Sequence, residues 1–319
     1  GLGRFQPISW KRSAFRRVVG WSMLLGVDRP FCTIADVPIE GHADFDFDGW
    51  LEQVRADLNE PEATAVVFWH PRHEETPNEK RKRAIVHLFD RQLRPIGFAK
   101  ISFDEQNDRR LQKEAEAIGQ LQQLGLRQFR FPRVLLHRQH ADHSYLLLEP
   151  LPTSGRPVDL TLQAFPRPSV REYAGAATPL PAEHVENLSW WGRYKHAIGE
   201  RCNAFADELA ERIGSGVEVC RVHGDMQPSN ILWDGDDVWI FDWEDSCPDG
   251  PVMLDEINFY MVIHLSQSAS DPDGQRARFF DRFLRDAGPE RRLAVMLALA
   301  FRATIHLDDA MLMMEHWNR

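Results

Sequence analysis

"VHGDMQPSNILWDGDDVWIFDWE", Val222 to Glu244, sets two carboxylates and a carboxamide at the edges of an apolar hairpin. "ILW" and "VWIF" flank "DGDD", and Asp-Gly between apolar runs is a strong tight-turn signal. Such a hairpin draws Asn230, just before its first strand, toward Asp242, at the end of its second. Two oxygen donors able to bind a metal then converge from one short element. Turn chemistry alone is the plain explanation of these residue types. Phosphoryl transfer is the specific one. Magnesium takes one or two protein oxygens and completes its shell with phosphates and water. A separate carboxylate then orients the attacking hydroxyl and accepts its proton. On that reading Asp225 is the candidate base, and Asn230 and Asp242 are the candidate magnesium ligands.

Outward from this stretch the chain changes texture twice. Upstream, "ATAVVFWHP" (63–71), "RAIVHLFD" (83–90) and "RPIGFAKIS" (94–102) read as strands, with the polar loop "HEETPNEKRK" (73–82) between the first two. The spacing predicts a helix over 108–124, with Leu111, Ala115, Ile118, Leu121 and Leu124 on one face and Gly125 as its stop. "FPRVLLHRQ" and "HSYLLLEPL" add two strands, so this block is an antiparallel sheet carrying one helix. From Leu151 onward the pattern is helical. A proline-rich connection (152–168) precedes a long predicted helix from Trp190 to about Ile213, N-capped by Ser189. "VEVCRV" then leads as a strand into the quoted stretch. Further helices are expected near 254–265, 274–287 and 290–314, the last apolar nearly all round. Residues 1–60 read as an accessory segment with helices over 9–26 and 48–58.

Bulk properties narrow the function classes. The chain of 319 residues has a formal net charge of −10, which argues against a nucleic-acid binder with its basic face. Its four cysteines form no CxxC pair and no zinc spacing, as in a reduced, cytoplasmic protein. No apolar run approaches the ~20 residues that span a bilayer. Val18 to Val27 is apolar and follows Arg4, Lys11, Arg12, Arg16 and Arg17. Docking on the main body, peripheral contact of residues 4–27 with an anionic membrane surface, and export compete as readings of this segment. "GVDRPFC" offers no small-residue cleavage site for the last of these.

"HGD-x4-N" followed by "FDWE" resembles the aminoglycoside phosphotransferase and choline kinase superfamily, and "GPVMLDEINFY" (250–260) is similar to its segment after the metal aspartate. The resemblance implies an α+β, protein-kinase-like bilobal fold. A small antiparallel-sheet lobe with one helix (61–150) would bind nucleotide. A larger, mainly helical lobe (151–319) would hold the catalytic and acceptor sites. It implies Asp225 as catalytic base, Asn230 and Asp242 on Mg2+, His223 beneath the catalytic loop and Asp255 pinning that loop. Glu244 either backs the metal site or is solvated. Lys100, ending "GFAK" on the third strand, would hold the α/β-phosphates of ATP or GTP. Glu114 would fix that lysine; it suits the role better than Glu116 because Ile118 falls four residues later. Backbone groups near Glu149 and Leu151 would meet the purine. The acceptor would be a hydroxyl of a small molecule such as a sugar, an aminocyclitol or an amino alcohol. Phe165, Tyr173, Trp190, Trp191, Phe259 and Tyr260 are aromatic candidates for its pocket.

Two departures from the family pattern stand out. The loop that should be rich in glycine reads "HPRHEETPNEKRKR", without one, so either Arg72, Lys80, Arg81 and Lys82 supply the phosphate contacts as side chains or the loop is open and nucleotide binds weakly. Gln227 stands where many relatives carry histidine and protein kinases carry lysine. A kinase-like binding protein with weak turnover, or a membrane-associated partner protein, is the alternative. Neither a Walker A sequence nor GxGxxG occurs.

Overall fold

Alternating apolar runs in the first half of the chain close into a five-stranded sheet of order β1-β2-β3-β5-β4. Its strands are β1 (Thr64–Phe68), β2 (Arg83–Phe89), β3 (Pro95–Ser102), β4 (Val134–Gln139) and β5 (Ser144–Leu148). The β2–β3, β3–β5 and β4–β5 pairings are antiparallel. The structure, a computed structural model, describes residues 45–68, 83–157, 165–199, 201–214, 216–266 and 272–317. The helix predicted over 9–26, the segment 4–27 and the loop residues Arg72, Lys80, Arg81 and Lys82 lie outside these.

The chain divides into two units, residues 1–65 with 90–92 and residues 66–89 with 93–319. In the first, helix α1 (Phe47–Leu58) starts on Asp46, whose carboxylate accepts from the Gly49 amide. It ends on Asn59 in the left-handed conformation, and Arg55 Nε donates to the Ala63 carbonyl at 2.8 Å.

In the second unit, helix α2 (Glu105–Gln123) follows β3 directly. It begins three residues earlier than its apolar face suggests, because Asp104 caps it: Oδ1 accepts from the Asn107 amide at 2.8 Å. Leu111, Ile118 and Leu121 on its inner face share one core with Phe129, Tyr173, Met226, Ile240 and Trp243. The sheet's helix is thereby packed onto the stretch from Val222 to Glu244.

The remaining chain is mainly helical: α3 (Arg167–Ala174), α4 (Trp191–Ile198), α5 (Asn203–Ile213), α6 (Leu254–Ser266), α7 (Pro272–Leu284), α8 (Pro289–Ala303) and α9 (Leu307–Trp317). Two short sheets accompany them: β10 (Asp237–Ile240), β9 (Ile231–Asp234) and β6 (Arg156–Pro157), and β11 (Cys247–Pro251), β8 (Val217–Val222) and β7 (Thr178–Leu180). Trp190, Phe205, Leu254, Phe279 and Phe301 belong to its main core. No helix among the described residues is long and apolar enough to cross a membrane.

Several expectations are corrected here. The helix predicted from Trp190 to Ile213 is two helices, because Gly199 and Cys202 both take positive φ. Ser189 does not cap it; its amide and hydroxyl bind the Asp249 carboxylate instead, at 2.8 and 2.7 Å. The helix predicted over 290–314 also breaks. The Ile305 and His306 amides both turn back onto the Arg302 carbonyl, at 3.0 and 2.8 Å. The stretch 152–168 read as connection holds β6, which pairs with β9.

Glu208 on α5 ties the helical layers together. Its carboxylate accepts from Arg292 on α8, Trp317 on α9 and Arg212 on its own helix, at 2.9, 2.8 and 2.8 Å. Burial alone would raise this carboxyl, but the three donors outweigh it and hold it at about 2. A depressed carboxyl stabilises the fold above its unfolded value of ~4.3, and that contribution fades as pH falls through 2. Glu208→Gln is therefore expected to cost about 2 kcal/mol at pH 7 and close to nothing near pH 2, as read by urea unfolding across pH.

Candidate active site

The hairpin forms as its turn chemistry requires. Asp234 pairs with Asp237 and Ile231 with Ile240, leaving Gly235 and Asp236 as a two-residue turn with Gly235 at φ 63°. The Phe241 amide then donates to the Asn230 carbonyl at 3.1 Å, so Asn230 and Asp242 leave the hairpin side by side. Asn230 is buried and donates its side-chain N–H to the Asp225 carbonyl at 2.9 Å, which leaves Oδ1 as the atom able to bind a metal. Asp242 takes a left-handed conformation at φ 73°, one that Asp tolerates better than most residues.

Lys100 sits on β3 opposite Ile85 of β2 and Leu146 of β5, with only 2% of its surface exposed. Its Nζ donates to Glu114 Oε2 at 2.5 Å and to Asp242 Oδ1 at 2.6 Å, and lies 3.9 Å from Glu244 Oε2. Glu116 is exposed and takes its bond from Gln112 instead. Glu244 is buried, and its Oε1 lies 3.3 Å from Arg110 Nη1, so it backs the lysine cluster and is not simply solvated. Burial, against the attraction of Lys100, pushes the Glu114 carboxyl up to about 7, and the neighbouring Asp242 and Glu244 add to the rise.

The loop between β8 and β9 is held by a set of backbone anchors. Asp255 accepts from the His223 amide at 2.8 Å, the Gly224 amide at 3.1 Å and the Tyr173 hydroxyl at 2.6 Å. His223 is fully buried; its Nε2 meets the Phe241 carbonyl at 3.0 Å and its ring packs on Trp243. Gly224 has φ 86°, and a Cβ there would stand 2.1 Å from the Asp245 carbonyl oxygen. Gly224→Ala is expected to cost about 2–4 kcal/mol in chemical unfolding, from strain plus clash. Gly235→Ala, at a similar φ but with nothing within 4 Å of its Cβ, should cost about 1 kcal/mol.

Asp225 faces three side-chain donors. Arg302 Nη1 donates to Oδ1 at 2.8 Å, His306 Nε2 lies 3.3 Å from the same oxygen, and Gln227 Nε2 donates to Oδ2 at 2.7 Å. Burial alone would raise this carboxyl; the His306 hydrogen bond and the Arg302 guanidinium outweigh it and hold the group well below the usual carboxylate range. Just after β5, Glu149 donates its amide to the Arg133 carbonyl and pairs with the Arg133 side chain. No described residue hydrogen-bonds the Glu149 carbonyl or the Leu151 amide, an acceptor and a donor two residues apart.

Glu114, Asp242 and Glu244 bring carboxylate oxygens within 4.8 Å of one another. Asn230 Oδ1 and the Asp242 carboxylate are hard oxygen donors of the type that magnesium takes. Of the aromatic candidates, Phe165, Tyr173, Trp190, Trp191 and Phe259 are core residues, and the Tyr260 ring is covered by the Arg282 guanidinium at 3.5 Å.

Residues 158–295 match the model of the phosphotransferase enzyme family. That match takes in the Asp225 loop and the hairpin. A thermostable mutant of the aminoglycoside phosphotransferase APH(4)-Ia, solved with ADP and hygromycin B, aligns with a TM-score of 0.52 at 11% identity. That alignment covers 86% of this chain and 97% of the other. A candidate fructosamine-3-kinase from Haemophilus somnus 129PT gives 0.50 at 13% identity, covering 84% and 96%. At such identities the likeness to these superfamily structures is one of fold. A search of the curated proteins finds no match. Arg302 and His306 lie beyond the matched residues, and sequence reasoning missed both. The available signal was Arg302 itself, the one charge in the otherwise apolar run from Leu293 to Ala303. A charge buried in such a run needs a partner.

Proposed function

We propose that this chain is a magnesium-dependent phosphotransferase that passes the γ-phosphate of ATP or GTP to a hydroxyl of a small molecule. The observation that carries this reading is the buried Lys100 bridging Glu114 on α2 and Asp242 at the end of the hairpin. A lysine so placed can meet the α- and β-phosphates while Glu114 keeps it extended. The Glu149 carbonyl and Leu151 amide suit the edge of a purine. Magnesium held by Asn230 Oδ1 and Asp242 would neutralise charge on the β- and γ-phosphates. Asp225 orients the acceptor hydroxyl and takes its proton as the O–P bond forms and the nucleoside diphosphate leaves. Residues 61–150 then serve the nucleotide and residues 151–319 the chemistry and the acceptor.

The acceptor class stays a sugar, an aminocyclitol or an amino alcohol. The aromatic residues named above are committed to the core or to Arg282, which speaks against a cage for a quaternary amine. A transfer screen with γ-labelled ATP and GTP over sugars, aminoglycosides and amino alcohols tests the reading. Labelled phosphoester on one of these classes, formed only with magnesium, supports it. Transfer to none of them counts against it.

A further inference from the structure

The turn between α8 and α9 reaches back to Asp225 over more than seventy residues of chain, and the proposed mechanism gives it no role. Arg302 is 2% exposed. Burying a guanidinium is costly unless anions meet it. Two do: Asp225 at 2.8 Å and Asp309 at 3.2 Å, the shorter contact being the one to the candidate catalytic carboxylate.

The two oxygens of Asp225 are held differently. Oδ1 takes the buried guanidinium and the His306 ring. A charge-assisted bond in a dry site is strong and hard to exchange. Among the described residues, Oδ2 takes only the neutral amide of Gln227, two residues along the same loop. A neutral donor of that kind holds more weakly than a charged one and can be replaced by another.

We infer that Arg302 is a positioning residue for Asp225: with His306 it fixes Oδ1, so that Oδ2 is the oxygen the acceptor hydroxyl takes over from Gln227. The inference rests on the assignment of Asp225 made above. Arg302 touches neither nucleotide nor acceptor; it acts through the carboxylate it orients. His306 depends on the same turn, since its amide and that of Ile305 hang on the Arg302 carbonyl, a backbone atom that a side-chain substitution leaves in place.

The test is a double-mutant cycle on the full chain, read as magnesium-dependent hydrolysis of ATP and GTP with water as the acceptor. The four proteins are wild type, Arg302→Met, Asp225→Asn and the double variant. Arg302→Met should lower kcat by about 30-fold or more, with the KM for nucleotide held within about threefold. In the Asp225→Asn background the same change should cost less than about threefold, because the group it positions is already gone. Arg302→Lys should recover part of the loss, and it carries the cycle if Arg302→Met fails to fold.

Equal losses in the two backgrounds, or no loss in either, overturn the inference while leaving the phosphotransferase reading intact. Near-normal hydrolysis by Asp225→Asn overturns the role of Asp225 and the inference with it. Absence of hydrolysis by the wild-type chain overturns both.

Discussion

Asp225→Asn is expected to lower phosphoryl transfer by about 100-fold or more, the usual cost of losing a positioned proton acceptor. The substitution keeps shape and volume but turns one carboxylate oxygen into an N–H donor. If the remaining oxygen stays on Arg302, the nitrogen faces Gln227 and the incoming hydroxyl, and two donors then meet with no acceptor between them. The loss should fall on kcat, since the groups assigned to nucleotide lie on β3, α2, the hairpin and the chain just after β5. A second consequence follows from burial. Arg302 loses an anionic partner in a dry site, so the variant should also be less stable by about 3 kcal/mol. Transfer measured with labelled nucleotide, beside urea unfolding, separates the two effects. Transfer within a few-fold of wild type would remove Asp225 from the mechanism.

Lys100→Met should have the next largest effect, on stability and activity together. One ammonium serves Glu114 and Asp242 at hydrogen-bond distance and Glu244 at 3.9 Å, and Glu114 is fully buried. Removing it leaves three carboxylates crowded together with Arg110 at their edge. Breaking a buried pair from one side costs about 3–5 kcal/mol. The Glu114 carboxyl, already at about 7 with the lysine present, should rise further and hold its proton through neutral pH. kcat/KM for nucleotide should fall by about 100-fold, as when an electrostatic clamp on a transferring phosphoryl group is removed. The double variant Lys100→Met/Glu114→Gln should regain part of the stability but none of the activity. A double variant no more stable than Lys100→Met would show that carboxylate crowding is not what destabilises the single one.

How far the molecule can be read from its sequence depends on how local each feature is. Asp225, Asn230 and Asp242 are legible because one loop and one hairpin bring them together, and the Asp-Gly turn announces the hairpin. Lys100 and Glu114 are legible through order, since strand and helix are consecutive and Ile118 fixes which face of the helix turns inward. The breaks within 190–213 and 290–314 are not legible from apolar periodicity. It runs on across Gly199 and Thr304, where positive φ at Gly199 and Cys202 ends the first helix and amides turning back onto the Arg302 carbonyl end the second. Arg302 and His306 stayed hidden for the same reason. Their meeting with Asp225 exists only once the second break is made and α8 is packed against the β8–β9 loop.

The central claim is that Asn230 and Asp242 hold one divalent cation on the phosphates of a bound nucleotide. Anomalous diffraction from crystals of the full chain grown with Mn2+ and a non-hydrolysable ATP analogue tests it most directly. The account predicts a manganese peak about 2.2 Å from both Asn230 Oδ1 and an Asp242 carboxylate oxygen. A nucleotide bound with its metal on other residues, or lying away from Lys100, would contradict it.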